Sequence, residues 1–185
     1  GSGGLSDKNI ENDTLRAGWR WTSPEHRWLD LGVLGYYVRN SVDETSLQDT
    51  AENPAGTKLD RQVDTVGMRI DNRTPVSFTE NISTLVTYGV ETFHDDQDGS
   101  SSATDDGDRL GVPDAEALTY AGFLQNEVTF DRLFGTPGSW LLVPGLRYDH
   151  FQNDADSSDS TSDGKVSPKL GLSYLPTEWL MLFGN

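Results

Sequence analysis

The chain has 185 residues, a formal net charge of −16, 34% hydrophobic residues and no Cys. These figures exclude disulfide scaffolds, thiolate metal sites and cysteine catalysis. No apolar run reaches the roughly 18 residues of a transmembrane helix, and the acidic balance repels nucleic acid. A membrane β-barrel stays open, because its strands need an apolar residue only at every second position.

In chain order, residues 1–13 are rich in Gly, Ser and Asp and are expected to form a flexible N-terminal loop without a signal-peptide pattern. Beyond them the apolar period is 2. Leu15, Ala17, Trp19 and Trp21 interleave with Arg16, Gly18, Arg20 and Thr22. Val66, Met68 and Ile70 alternate with Gly67, Arg69 and Asp71, and Ile82, Val86, Tyr88 and Val90 with Ser83, Thr87, Gly89 and Glu91. Leu124, Val128 and Phe130 oppose Gln125, Glu127, Thr129 and Asp131. Trp140, Leu142, Leu146 and Tyr148 oppose Gly145, Arg147 and Asp149, and Val166, Pro168, Leu170, Leu172 and Tyr174 oppose Lys165, Ser167, Lys169, Gly171 and Ser173. This pattern predicts strands with one apolar and one polar face, at about residues 14–22, 28–42, 59–71, 82–94, 117–131, 140–151, 165–175 and 179–185. The fold class expected is all-β: an antiparallel, up-and-down transmembrane β-barrel arrangement of about eight strands.

Connections alternate in kind. Residues 23–27, 72–81, 132–139 and 176–178 are short, with Pro24, Pro75, Pro137 and Pro176 as turn formers. Residues 43–58, 95–116 and 152–164 hold 16 of the 30 acidic residues and are expected to be long solvated loops. Short periplasmic turns alternating with longer extracellular loops are the layout of an outer-membrane barrel. Aromatic residues sort the same way. Trp19, Trp21, Trp28, Trp140 and Trp179 fall toward the short-turn end as membrane-interface residues, with Phe134 and Phe183. Tyr36, Tyr37, Tyr88, Phe93, Tyr120, Tyr148 and Phe151 fall toward the other end. A soluble, acidic β-sandwich binding module would show similar alternation, but it would pack the Leu15/Trp19/Trp21 and Leu170/Leu172/Tyr174 faces into a closed core.

Four blocks carry a resemblance: residues 85–94 (LVTYGVETFH), 122–127 (GFLQNE), 143–149 (VPGLRYD) and 167–185 (SPKLGLSYLPTEWLMLFGN). Together they resemble the barrel of TonB-dependent outer-membrane receptors, most of all the haem/haemoglobin branch related to the transferrin and lactoferrin receptors. The resemblance implies that residues 14–185 are a partial receptor barrel without the plug domain, and an internal fragment that stops short of that branch's FRAP box. It further implies location in the outer membrane of a Gram-negative bacterium, among outer-membrane lipid and lipopolysaccharide. The receptor would not be an enzyme. It would take up haem, or iron from haem proteins, with haemoglobin or another haem carrier as partner. The TonB–ExbB–ExbD complex would energise it through the plug and TonB box. Haem is then a transported ligand and not a covalently bound cofactor. Uptake of a siderophore or other nutrient is the alternative within the same family.

Candidate ligand contacts are His94 and His150 at the extracellular rim, each beside an aromatic residue, Phe93 and Phe151. Imidazole ligates haem iron and a ring can stack on a porphyrin. His26 falls in the first short turn and reads as a solvated residue. Asp159, Asp163 and Gly164 partly match a calcium loop, but Leu170 stands where a bidentate Glu is needed, so no metal site is expected. On the polar face, Arg16, Arg20, Arg69, Arg147, Lys165 and Lys169 are expected to face Glu91, Glu127, Asp131 and Asp149 as a cross-strand salt-bridge lattice or as contacts to a plug. No catalytic motif stands out.

Overall fold

The computed structural model describes residues 5–49, 53–109, 112–155 and 158–185. They form eight strands: β1 Ser6–Thr22, β2 Asp30–Ser46, β3 Lys58–Thr79, β4 Ile82–Ser101, β5 Ala115–Asp131, β6 Ser139–Ala155, β7 Ser158–Thr177 and β8 Leu180–Gly184. Each pairs antiparallel with the next, giving one sheet in the order β1 to β8. The up-and-down arrangement expected from the alternation is therefore present, and the sheet is open. The sandwich reading fails here. Among the described residues the buried apolar side chains are Leu59 and Ala121 alone, and Leu15 and Leu170 are 69% and 60% exposed. A packed second sheet would have covered them.

Register places most large exposed apolar groups on one face, while Ile10, Phe151 and Phe183 lie on the other. One cross-strand row runs Trp19, Val33, Ile70, Val90, Gly122, Tyr148 and Val166. The next runs Trp21, Leu31, Asn72, Tyr88, Leu124, Leu146 and Pro168. This second row lies one residue from the short-turn end of β1 but nine from that of β7. With strands ~4.8 Å apart and ~3.3 Å per residue, that climb over six strand steps corresponds to a tilt of roughly 40° once the short turns are set at one level. Barrel closure demands such a tilt. The unbroken apolar stretch spans nine residues in β6 (140–148) and β7 (166–174), and the matching span of β4 (82–90) is interrupted only by Thr84; nine residues reach about 23 Å along the barrel axis at that tilt. This matches the ~25 Å apolar band of an outer-membrane barrel.

Strand ends differ from expectation in one consistent way. β1 begins at Ser6, eight residues earlier than the predicted start at 14. The three acidic stretches are only partly loops: β2 and β3 continue to Ser46 and from Lys58, and β4 and β5 to Ser101 and from Ala115, which leaves residues 47–57 and 102–114 as long connections, whereas β6 and β7 continue to Ala155 and from Ser158. Residues 158–164 are extended strand, so the partial calcium loop does not form. Among the described residues no three His, Asp or Glu side chains gather to hold a metal. Gly1–Gly4, Glu52 and Asp156 lie outside the described residues. Asp, Asn and Gly have low strand propensity, but a strand already paired on both sides propagates its ladder outward, and polar side chains suit a wall that stands in water.

Prolines mark where the ladder is incomplete. Pro75 was expected to be a turn former but lies inside β3, opposite Leu85. β3 stops pairing with β2 at Asn72, so a residue without an N–H sits where the strand is locally an edge. Pro144 interrupts β5–β6 pairing between Gly145 and Leu142 while staying paired to Leu170 of β7. The β3–β4 turn is accordingly two residues, Glu80 and Asn81.

Candidate functional site

The polar face is organised around ion pairs and rings that lie on glycines. Arg20 donates to Asp30 at 2.9 Å and to Asp71 at 3.0 Å, and Arg69 approaches Asp71 at 3.4 Å. Arg147 donates to Glu91 at 2.8 Å and to Asp149 at 2.7 Å. The expected lattice therefore exists, with Asp30 and Asp71 among the acids in place of Glu127 and Asp131. Glu127 accepts from Gln125 at 3.0 Å and Asp131 from Ser139 at 2.5 Å. Lys169 donates to Gln125.

Above these charges runs the row Arg16, Tyr36, Gly67, Phe93, Thr119, Phe151 and Asp163. From Tyr36 onward large and small side chains alternate across it, because each ring needs the space over the neighbouring strand. The Tyr36 ring lies directly over Gly67: a Cβ there would fall 2.2 Å from Tyr36 Cζ. Two rows lower, Phe123 covers Gly89, whose Cβ would be 2.8 Å from Phe123 Cζ, and the Arg69 guanidinium sits 4.3 Å from the Phe123 ring centre. Tyr36 and Phe123 were not anticipated as lining the polar face. The legible signal was a glycine at strand spacing beside an aromatic residue on the next strand, and it becomes readable only once register is known.

At the far end the β4–β5 connection folds back onto the polar face. A Cβ on Gly99 would meet the Val112 carbonyl oxygen at 2.5 Å, Gly99 N–H donates to Asp114 at 3.1 Å, and Arg109 reaches Glu44 at 3.3 Å. Leu59, Ser46, Thr57 and Ser101 are buried there. On the other face, one row beyond Leu15, Tyr37, Val66 and His94, Asp13, Arg39, Asp64, Asp96, Glu116 and Asp154 share a cross-strand row. Arg39 donates to both Asp64 oxygens at 2.8 and 3.2 Å, and Tyr37 and Gln62 each donate to it at 2.7 Å. Those donors hold the Asp64 carboxyl down at about 2. Farther out, Asp98 is shifted the opposite way, by desolvation first and then by Asp96, Asp114 and Asp64.

The expected ligand contacts divide between the two faces. His94 pairs with Val66 and Leu118, and His150 with Tyr120, on the apolar face. Phe93 and Phe151 occupy one row of the polar face. His94 and Phe93 thus point apart, as do His150 and Phe151, since neighbours in a strand alternate. His150 instead borders a shallow apolar groove with Met68, Val90, Tyr120 and Tyr148. His26 is exposed in the β1–β2 turn, where its N–H donates to Ser23 Oγ at 3.1 Å and its ring meets Trp28 edge-on at 5.8 Å.

All five Trp lie in a short turn or within four residues of one. Trp140 stacks on Tyr174 at 4.3 Å, and Trp19 and Trp179 are 58% and 82% exposed. The second aromatic group is less uniform than expected. Tyr37, Tyr120 and Tyr148 lie high on the apolar face, whereas Tyr36, Phe93 and Phe151 face the other way and Tyr88 shares a row with Trp21. Asn72, 6% exposed, lies in that same row. It accepts from Asp30 N–H at 3.0 Å and donates to the Trp28 carbonyl and the Tyr88 hydroxyl, each at 3.0 Å.

Comparison with known proteins bears on this wall as a whole. The family model described as TonB dependent receptor-like, beta-barrel matches residues 1–185. The chain is 30% identical over 161 residues to a hemin receptor of Yersinia pestis and 29% identical over 162 residues to one of Yersinia enterocolitica, covering 87% of this chain in each case. It spans about a fifth of the length of those relatives, 21% of each. Among solved structures it matches the Serratia marcescens hemophore receptor HasR, determined in complex with its hemophore HasA and heme, at TM-score 0.69 and 18% identity, covering 96% of this chain and 30% of that one. It also matches the unliganded ferric citrate transporter FecA at TM-score 0.58 and 13% identity, covering 94% of this chain and 26% of that one. With tilt, apolar band, polar face and family model in agreement, the chain belongs to the TonB-dependent receptor family and forms part of its β-barrel.

Proposed function

We propose that this segment is wall and extracellular rim of an outer-membrane receptor that imports haem. The apolar face is its lipid-facing surface, bounded by Trp19, Trp21, Trp28, Trp140 and Trp179 at the periplasmic interface, and the polar face lines the lumen. His94 and His150 sit at the upper edge of the lipid-facing band, beside lipopolysaccharide. The strand extensions beyond them stand about 18 Å clear of the membrane and meet the haem carrier, haemoglobin or another haem protein. The observation that carries the ligand assignment is the 30% identity, sustained over 161 residues, to a hemin receptor.

The wall's part in transport follows from its chemistry. Arg20, Arg69 and Arg147 are each engaged by carboxylates, so the lumen stays wetted and presents paired charges to the plug. Contacts of that kind exchange with water at little net cost, which lets a plug shift without tearing apolar surface from the wall. In the whole receptor the plug and its TonB box supply the coupling to the TonB–ExbB–ExbD complex.

Growth tests the assignment. The full-length receptor, expressed in a haem-auxotrophic Gram-negative strain without its own haem receptor, is expected to restore growth on hemin as the only haem source. It is expected to do so only when TonB is present. Growth restored on a ferric siderophore or ferric citrate but not on hemin would overturn the haem reading and leave the family assignment standing.

A further inference from the structure

Resting on the haem reading above, we infer that the lumenal row Tyr36–Phe93–Phe151 is a stacking shelf for a planar, carboxylate-bearing aromatic ligand on its way from the extracellular mouth to the plug. The three rings come from β2, β4 and β6 and alternate with Gly67 and Thr119 on β3 and β5. Strand spacing sets Phe93 and Phe151 roughly 10 Å apart with only Thr119 between them, so a porphyrin-sized plane fits across the pair. Tyr36 is folded down over Gly67, which turns its ring towards the lumen as a face and not an edge. Faces are what π-stacking needs.

The row's height fits an entry position. Phe93 lies three residues beyond Val90, and Phe151 three beyond Tyr148, the last apolar groups of the lipid-facing band on β4 and β6. The shelf thus stands at the mouth, where a ligand released by a carrier arrives first.

Charge complements the rings. Below the row, Arg20, Arg69 and Arg147 all have acidic partners. Among the described residues Arg16, opposite Tyr36, and Lys165, one row below Phe151, have no ion-pair or hydrogen-bond partner. Asp149, which faces Lys165 across the ladder, is taken by Arg147 at 2.7 Å. Arg16 beside Tyr36 and Lys165 below Phe151 can each meet a carboxylate on the edge of a plane stacked at its own end of the row, Lys165 doing so beside Asp163. None of the three rings offers an iron ligand at its reacting end except the Tyr36 hydroxyl, so the shelf orients the plane and does not define the axial coordination.

The test uses the purified full-length receptor in detergent, titrated with hemin and with hemin dimethyl ester by Soret absorbance. The conservative variants Phe93→Leu and Phe151→Leu keep apolar volume and remove the π face. Each is expected to weaken hemin binding roughly three- to tenfold without moving the Soret maximum. Arg16→Gln and Lys165→Gln are expected to weaken hemin but leave the dimethyl ester unchanged. If wild-type receptor binds hemin and all four variants bind it equally well, the shelf is refuted and the haem reading stands. If the Phe variants bind hemin normally but melt at lower temperature, the row buttresses the plug, and the shelf is again refuted. Wild-type receptor that binds no hemin removes the haem reading itself.

Discussion

At the scale of single residues, glycines and one asparagine carry the most testable consequences. Gly67 has no room for a side chain under Tyr36, so Gly67→Val forces the ring off the wall. Overpacking of this kind costs about 1–3 kcal/mol and is expected to lower the temperature at which the receptor unfolds on heat-modifiability gels. An unchanged midpoint would show that Tyr36 has another rotamer available at no cost. Asn72 ties the β1–β2 turn to β3 and β4 through its bonds to Asp30, Trp28 and Tyr88. Asn72→Ala leaves those groups unsatisfied, for an expected loss of about 1–3 kcal/mol and faster proteolysis in the 23–29 turn. Asp98 bears on pH. Its carboxyl is held above the ordinary range by desolvation and by Asp96, Asp114 and Asp64. A raised folded-state pKa favours the fold while the group is protonated, and that benefit is lost as pH rises through the folded value. Asp98→Asn is therefore expected to slow amide exchange at the tip of β4 at pH 7 and to change nothing at pH 3. Asp64 runs the other way: its donors hold it at about 2, so its contribution is present at neutral pH and is lost as pH falls from about 4 towards 2.

At the scale of the strand, alternation is the controlling feature. Leu170 and Ser167 are three residues apart on β7 and point to opposite faces. Leu170→Arg puts a charge into the lipid-facing band and is expected to cost about 2–4 kcal/mol. Ser167→Arg faces the lumen and should leave folding yield unchanged, as read by the heat-shifted band after refolding into detergent. The alternation itself was legible from sequence, as were all eight strands and their order. Their ends were not, for a physical reason. Residues 95–101 and 158–164 are dense in Asp, Ser and Gly, a composition that describes a solvated surface equally well as a loop or as an exposed ladder. Pairing partners decide between the two, and they are non-local. The same limit governed the site. His94 and Phe93 are neighbours in sequence and were read together, but a strand sends neighbours to opposite faces. The companions of Phe93 are instead Tyr36 and Phe151, which lie 57 and 58 residues away and become visible only through register.

At the scale of the molecule, the segment makes sense as a wall between two media. The −16 net charge gathers on the strand extensions and connections beyond the apolar band, not on the band. The 34% hydrophobic content, low for a chain that meets lipid, suits strands that show lipid one face only. The most direct test of this two-faced wall exploits the absence of Cys from the segment. Single cysteines at residues 165–174 of the full-length receptor, spin-labelled in lipid bilayers, report collisions with oxygen and with a polar nickel reagent. High oxygen access is predicted at Val166, Pro168, Leu170, Leu172 and Tyr174, and at Lys165, Ser167, Lys169, Gly171 and Ser173 it falls while nickel access rises. Loss of the two-residue period, or even-numbered sites closed to both reagents, would contradict the account.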